Sequence, residues 1–577
     1  MGNLPSEKMR GISAESDCLH LGMGWTREDL SKPHVMVQSS AGESHPGSSH
    51  LGNLAGAARD GLMESGMRPA EFTVTDMCDG VAQGSPAMGL SLPSREFIAY
   101  MIEIQARSTL CDAIVFIASC DKSLPAHLIS AARLNLPSLV MPGGVMSAGA
   151  GLLSCDAMFE RRRDLNCGKS TENEFFSVSS NTCPTAGACQ QFGTAGTMQA
   201  MAEALGLALP GHAHIPTANA EIIRACRKSG AQIRLLLEKG IRPRDILTKE
   251  AFYNAITVHA AIGGSANAVM HLIAIAKNAG VELNVGDFDR INRNAPYLTD
   301  VLCAGKYPTE YFWYAGGVRA VMAEIRDLLE PGVMTATGRT LGENLDEWAS
   351  SGGARETSGY LANCGLTPRD LIRPRSNPRG VDGGLAVLKG NIAPEGALIK
   401  HSAVHKDMMR HRGRCAVFYD EDEAIKALDS GGVRAGDVIA VLGMGPNSCG
   451  MPEMFRVGDA VARNPALSST TCVLTDGRYS GCTVGPAIGY VSPEGLGDGP
   501  VGKLRTGDVI EIDIPKRQIN LVEGIGNNGR IANGDALIAS RPPLAYETLG
   551  KEAFESAALD LYRRRALPAL RGGGIER

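Results

Sequence analysis

The stretch that decides the fold is "DAIVFIASCDKSLPAHLISAARLNLPSLVMPGG", residues 112–144. Residues 112–119 form an apolar run typical of a buried strand, residues 124–135 have helical spacing, and residues 137–144 return to a second apolar strand. A right-handed crossover makes the two strands of such a unit parallel. The sequence therefore predicts an α/β fold in which ligands bind at the carboxyl ends of parallel strands.

The rest of the chain divides into a larger α/β part and a smaller β-rich part. Helical spacing continues over residues 95–107, 194–208, 219–239 and 265–279. Residues 373–384 are rich in Pro, Gly and Arg, as linkers often are, and short strand-like runs such as "DVIEIDIP" follow them. We predict a three-layer α/β domain over residues 1–375 and a β-barrel-like domain over residues 385–577.

Composition and charge are those of a loop-rich soluble enzyme. The 577 residues are 44% apolar with a net charge of -5, so nucleic acid is not an expected partner, whereas a small anionic substrate would need a local cation. No run of about 18 apolar residues and no signal-peptide core occur, and we expect a cytoplasmic protein that does not enter the membrane. Fifteen scattered cysteines do not resemble a disulfide framework, so a few could be metal ligands.

Two thiol–carboxylate pairs stand out. Cys120 and Asp121, followed by Lys122, come directly after a predicted strand, and Cys78 precedes Asp79 before a Gly-rich turn. Their ordinary roles would be a buried thiol, a helix cap and a solvated amine. Because thiolates select iron–sulfur clusters and carboxylates select Mg²⁺, the pairs also suit an iron–sulfur centre beside a divalent cation.

Other candidates lie in small-residue loops. Cys189 and Cys183 share the loop at the start of "NTCPTAGACQQFGTAG", and spacing alone does not choose between them. Glu453 is the only carboxylate of "GMGPNSCGMPEM", which lacks the GK[ST] ending of a phosphate-binding loop. Ser480 lies in the Gly-flanked turn of "LTDGRYSG" and is either an ordinary turn residue or an exposed hydroxyl able to act as a base.

Three histidines leave a zinc site as an alternative. His401 and His405 have the i, i+4 spacing that can bind a metal from one helix face, and His411 follows them. The HExxH carboxylate of zinc hydrolases is missing from this segment, and surface or interface positions are expected for these side chains.

Together these segments resemble the dihydroxy-acid dehydratase and phosphogluconate dehydratase family over nearly the whole chain. The motifs "CDKSLPAHLISAARLNLP", "GACQQFGTAGTMQAMAEALGLALP", "GNIAPEGALIK" and "GMPEM" occur in the family's order. The resemblance implies an α/β amino-terminal domain, a carboxyl-terminal β-barrel, and a homodimer or dimer of dimers. It also implies cluster ligation by Cys120 and Cys189, magnesium binding by Asp79, Asp121, Glu453 and a carbamate on Lys122, and Ser480 as the catalytic base.

One departure from the family pattern affects the cluster. The biosynthetic dihydroxy-acid enzymes carry a cysteine in the loop that here is "AGESHPGSSHLGN", where Gly47 occupies roughly that position. We predict that Cys78 is the substitute third ligand. Three thiolates would leave one iron open for substrate, most naturally in a 4Fe-4S cluster, with 2Fe-2S as the other possibility.

The stretches "GMGWTREDL", "CDGVAQG" and "TLGENLDEW" are closest to the sugar-acid branch of the family. The sequence therefore predicts a hydro-lyase that converts a sugar acid such as xylonate, a small anionic polyhydroxy acid, to a 2-keto-3-deoxy acid. The alternatives are a branched-chain dihydroxy-acid dehydratase of amino-acid synthesis and, with less support, a non-enzymatic iron–sulfur sensor or a zinc hydrolase.

Overall fold

A four-stranded parallel sheet organises the amino-terminal part of the chain. The computed structural model describes residues 4–576 except residues 156, 463, 481, 482, 484, 528 and 550–555. The strands are β1 (His34–Ser39), β2 (Arg68–Thr73), β3 (Ala113–Ala118) and β4 (Ser138–Pro142), in the order β2-β1-β3-β4 with every pairing parallel. β1, β3 and β4 are buried along their whole length, which explains their uninterrupted apolar runs.

Helices cover both faces of this sheet. β2 lies to one side of β1, and β4 lies to the other side of β3, so right-handed crossovers place the connecting helices Leu51–Glu64 and Ser123–Leu134 on opposite faces. Leu51–Glu64 packs against Glu221–Lys239, and Ser123–Leu134 packs against Ser91–Thr109 and Asn267–Ala279. The three-layer α/β prediction is therefore confirmed.

The remaining longer helices extend the core around these layers. They are Ala14–Gly22, Ala157–Asn166, Glu172–Thr182, Thr194–Ala204, Lys249–Ile262, Val285–Asn292, Gly317–Glu324, Leu341–Ser350, Arg355–Asn363 and Glu421–Asp429. Within the described residues, no helix combines the length and the hydropathy that a bilayer span requires.

The order of the strands fixes where a ligand site can form. The connection after β1 leads to one side of the sheet and the connection after β3 leads to the other, so a crevice opens at the carboxyl ends of these two neighbouring strands. The segment with His45 and Gly47 follows β1, and Cys120 follows β3. Residues from distant parts of the sequence therefore meet at this crevice.

The carboxyl-terminal part contains a closed β-barrel. Its strands are β5 (Ala386–Gly390), β6 (Ala393–Ile399), β7 (Arg410–Phe418), β8 (Val438–Val441), β9 (Cys472–Thr475), β10 (Ala487–Ser492), β11 (Val509–Asp513), β12 (Gln518–Ile525) and β13 (Ile531–Asn533). The order β11-β7-β8-β9-β10-β6-β5-β12 closes through the pairing of β11 with β12, and β13 adds to β12. Ile510 and Ile512 point into the barrel core, while Glu511 between them is exposed. The barrel prediction is confirmed.

Two glycines allow the helices Leu51–Glu64 and Glu221–Lys239 to cross closely. A Cβ atom on Gly61 would lie 2.0 Å from the carbonyl oxygen of Arg227, and a Cβ atom on Gly230 would lie 2.1 Å from that of Ala58. Any side chain at these positions would therefore push the two backbones apart.

We predict that Gly61→Ala destabilises the protein by about 1–3 kcal/mol, because the added methyl group must displace the backbone of Glu221–Lys239. The matched control is Gly56→Ala in the same helix, where an added Cβ meets no atom within 4 Å among the described residues and helix propensity favours alanine. Thermal unfolding should show a lower midpoint for Gly61→Ala and an equal or higher one for Gly56→Ala. Equal midpoints for both variants would contradict the close crossing.

Candidate active site

A fully buried arginine joins the two parts of the chain at the crevice. Arg478 follows β9 in the carboxyl-terminal part, and its guanidinium donates to Glu453 Oε2 at 2.8 Å and to Asp79 Oδ2 at 2.9 Å. Its Nε donates to the Met451 carbonyl at 2.9 Å. Sequence analysis missed Arg478, although it lies two residues before Ser480 in the same Gly-flanked turn.

Lys122 is the second buried cation. Its side chain is fully buried, and Nζ lies 2.9 Å from Asp79 Oδ2 and 3.8 Å from Asp121 Oδ2. Asp79 Oδ1 also accepts a hydrogen bond of 2.5 Å from Ser91 Oγ. Lys122 therefore lies among the carboxylates, as the sequence predicted, whereas its carbamate stays a prediction.

Three carboxylates converge around these cations. Oxygen atoms of Asp79, Asp121 and Glu453 lie within 4.8 Å of one another. Among the described residues, these three carboxyl groups face the two positive charges of Lys122 and Arg478. Full ionisation of all three would leave one negative charge unbalanced, which an additional cation would neutralise. Oxygen ligands of this kind are those that Mg²⁺ prefers.

The three carboxyl groups differ in how easily they ionise. Burial, with the nearby charges of Asp79 and Glu453, raises the pKa of Asp121 to about 7 although Lys122 opposes the rise. Burial also raises the pKa of Glu453, against the opposing effect of Arg478. Burial disfavours ionisation of Asp79 too, but the charges of Lys122 and Arg478 outweigh it and hold the pKa of Asp79 below its usual value. Asp79 is thus the carboxylate that the protein itself neutralises best.

Two predicted sulfur ligands lie directly beside this carboxylate group. Cys78 precedes the short helix Asp79–Ala82, and Cys120 follows β3. Their thiols are hydrogen-bonded to each other. This hydrogen bond lowers the pKa of Cys78, although burial opposes the change. The same hydrogen bond raises the pKa of Cys120, and burial raises it further. The structure therefore brings Cys78 and Cys120 together, although they are distant in sequence.

His45 completes a group of soft ligands that sequence analysis missed. Its ring nitrogen, Cys78 Sγ and Cys120 Sγ lie within 4.8 Å of one another. The imidazole is 1% exposed, and burial lowers the pKa of His45. Only its position two residues before Gly47, in the loop expected to hold a cluster cysteine, could have pointed to it.

Cys189 lies near this group but outside it. Burial raises the pKa of the Cys189 thiol, and the neighbouring thiols of Cys155 and Cys78 raise it further. Among the described residues, however, the 4.8 Å set contains His45, Cys78 and Cys120 and not Cys189. Cluster ligation by Cys189 stays a prediction.

Ser480 adjoins the carboxylate group. Its side chain hydrogen-bonds to the carboxyl group of Glu453. A short parallel backbone bridge between residues 453 and 478 holds the turn that carries Ser480 next to Glu453. The predicted base therefore lies at the edge of the predicted magnesium site.

The separation of donors fits two different cofactors. Sulfur and imidazole donors form one group and carboxylate oxygens form the other, and the adjacent residue pairs Cys78–Asp79 and Cys120–Asp121 join the two groups. This donor chemistry suits an iron–sulfur cluster beside Mg²⁺. In the described part of the chain, neither group includes the three histidines of the zinc alternative. That alternative has no geometric support.

Comparison with known proteins gives the family. Residues 32–344 match the family described as dihydroxy-acid/6-phosphogluconate dehydratase N-terminal, and residues 370–569 match its C-terminal counterpart. A protein of Caldanaerobacter subterraneus subsp. tengcongensis named dihydroxy-acid dehydratase is 43% identical over 505 residues, 86% of this chain and 88% of the relative. Proteins of the same name are 41% identical in Halothermothrix orenii, over 86% and 89% of the two chains, and 38% identical in Ruminiclostridium cellulolyticum, over 93% and 95%.

These relatives correct one prediction and confirm another. The preference for a xylonate-type sugar acid is wrong, because the similar curated proteins are named dihydroxy-acid dehydratase and favour the branched-chain alternative. The predicted class of reaction is confirmed, since a dehydratase is a hydro-lyase, and iron–sulfur and magnesium dependence is general in the family. The chain is thus an enzyme of the dihydroxy-acid/6-phosphogluconate dehydratase family.

Proposed function

We propose that this enzyme dehydrates a branched-chain 2,3-dihydroxy acid to the corresponding 2-keto acid. One observation carries the proposal: a soft-donor group and a carboxylate group share one buried crevice, joined through adjacent residues at Cys78–Asp79 and Cys120–Asp121. The names of the relatives supply the substrate class.

The reaction makes two chemical demands. A weakly acidic proton must leave carbon 2, and hydroxide must leave carbon 3. When bound, an iron–sulfur cluster and Mg²⁺ supply Lewis acidity toward the two hydroxyl groups and the developing negative charge, an effect worth several kcal/mol. The enol that results tautomerises to the 2-keto acid.

The chain's own residues divide this work. Asp79, Asp121 and Glu453 would hold Mg²⁺, while Cys78 and Cys120 would hold the cluster, with Cys189 as the further ligand that the family resemblance supplies. We favour a 4Fe-4S cluster. Ser480 Oγ, fixed by its hydrogen bond to Glu453, is the atom that we assign to accept the proton from carbon 2, which requires nearby positive charge to stabilise the alkoxide.

A cavity opens beside Glu453. It has a volume of about 500 Å³ and extends from Glu453 to a wall that includes Ser85, Lys426, Arg456 and Arg563. The volume is ample for a small dihydroxy acid. The lining also carries the acidic residues 420–423, so the walls do not by themselves favour an anion, and the bound Mg²⁺ would have to attract the carboxylate. We also propose that the two domains divide near residues 375 and 385. The enzyme is further proposed to assemble as a dimer or a dimer of dimers.

We predict that anaerobically prepared enzyme forms 2-keto acid fastest from 2,3-dihydroxyisovalerate, because its relatives carry the name of that class of dehydratase. Xylonate, gluconate and arabinonate should give at least tenfold lower kcat/KM, since on this proposal the site accepts an apolar branch and would leave their extra hydroxyl groups without polar partners. Trapping of the 2-keto product with a hydrazine reagent measures the rates. Turnover confined to the sugar acids would contradict the proposal.

We predict that Ser480→Ala lowers kcat by about 10²-fold or more, because the variant lacks the hydroxyl that accepts the proton. Iron content and thermal stability should stay those of the parent. Ser469→Ala, an exposed serine in the same part of the chain, is the control and should keep parental activity. A Ser480→Ala enzyme within tenfold of the parent would remove this serine from the mechanism.

We predict that Arg478→Met destabilises the enzyme by about 3–5 kcal/mol, because it leaves the buried carboxylates of Asp79 and Glu453 without their shared cation. Arg412→Met is the matched control: its pair with Glu523 at 3.0 Å is exposed, so the loss should stay below about 1 kcal/mol. Denaturant unfolding of both variants measures the difference. Similar losses of stability in the two variants would contradict the role of Arg478 as the shared cation of the two buried carboxylates.

A further inference from the structure

The imidazole of His45 is buried without a hydrogen-bonding partner. Both of its ring nitrogens are enclosed, and neither has a hydrogen bond to any described residue. A buried polar group in this state costs about 1–3 kcal/mol unless something satisfies it. His50, five residues later, is different, because its Nε2 bonds to the Gly143 carbonyl at 2.6 Å.

Because Gly47 has no side chain, the ring of His45 can lie close to the backbone at position 47. A Cβ atom on Gly47 would lie 3.1 Å from His45 Nδ1 and 3.3 Å from Cys120 Sγ. His45 Nδ1 and the Cys120 thiol therefore both lie close to the position that the Cβ atom of a cysteine at position 47 would take. The imidazole therefore lies directly beside the position from which the cysteine that this chain lacks would project.

The other ring nitrogen faces a carboxyl group. His45 Nε2 lies 3.8 Å from Asp76 Oδ2, too far for a hydrogen bond, and that oxygen already accepts from Ser123 Oγ at 2.5 Å. Histidines that bind metals commonly direct their second nitrogen toward a carboxylate, which fixes the ring orientation. Nδ1 is then the nitrogen left for a ligand, and it lies 3.1 Å from the same Cβ position on Gly47 that is 3.3 Å from Cys120 Sγ.

We infer that His45 is a ligand of the iron–sulfur cluster through Nδ1, in company with Cys78 and Cys120 and in place of Cys189 as the third ligand. The inference rests on the proposed function, since it presupposes that the cluster binds between these residues. It assigns a mixed imidazole and thiolate coordination where the family resemblance led to thiolates alone. Replacing a thiolate by a neutral imidazole raises the reduction potential of a cluster, as in Rieske centres.

The test is pulsed EPR of the reduced holoenzyme prepared anaerobically with ¹⁵N-labelled histidine. We expect one strongly coupled histidine nitrogen in the parent enzyme and in His50→Gln, and none in His45→Cys. His45→Cys should retain its iron and sulfide, because it supplies a thiolate instead, and its reduction potential should fall below that of the parent in a redox titration.

A double variant guards against a failure of His45→Cys to fold or to bind iron. If His45→Cys loses its cluster, the double variant His45→Ala/Gly47→Cys places a thiol at the position next to Cys120 and should restore both the iron and the low potential. A parent spectrum without histidine coupling, or a coupling that persists in His45→Cys or in His45→Ala/Gly47→Cys, overturns the inference while the proposed function stands. A parent without iron and sulfide overturns both.

Discussion

The whole site depends on one buried guanidinium. Arg478 bridges Asp79 from the α/β part and Glu453 from the barrel part, within 2.9 Å of each. A buried carboxylate is tolerated only with a partner, and Arg478 is a partner of both, in addition to Lys122 for Asp79. Its guanidinium therefore ties the barrel part to the segment in which Cys78 and Asp79 are neighbours, which lets one substrate meet both groups of donors.

The sequence predicts those parts of the fold and site that local patterns encode. The buried strands around residues 112–144 and the alternating isoleucines of β11 are direct consequences of sheet geometry, and both were confirmed. Cys120 and Asp121 were found because they follow a strand of a parallel sheet. Arg478 and His45 were missed because an arginine in a turn or a histidine in a loop shows its role only through burial and long-range contacts.

The error in the substrate has a structural explanation. Two of the stretches that favoured a sugar acid encode helix starts instead of a binding site. In "TLGENLDEW" the side chains of Thr340 and Glu343 form a capping box, and Thr26 and Asp29 do the same in "GMGWTREDL". Such patterns stabilise helix ends in any enzyme of this fold, so they carry no information about the substrate.

Soft and hard donors from distant segments form one composite site in the crevice between the two parts. A crystal structure of anaerobically purified enzyme, with anomalous data collected at the iron edge, tests this most directly. We expect iron peaks within bonding distance of Cys78 and Cys120, and a cation bound among Asp79, Asp121 and Glu453 beside them. Iron bound elsewhere, or these two thiols coordinating nothing, would contradict it.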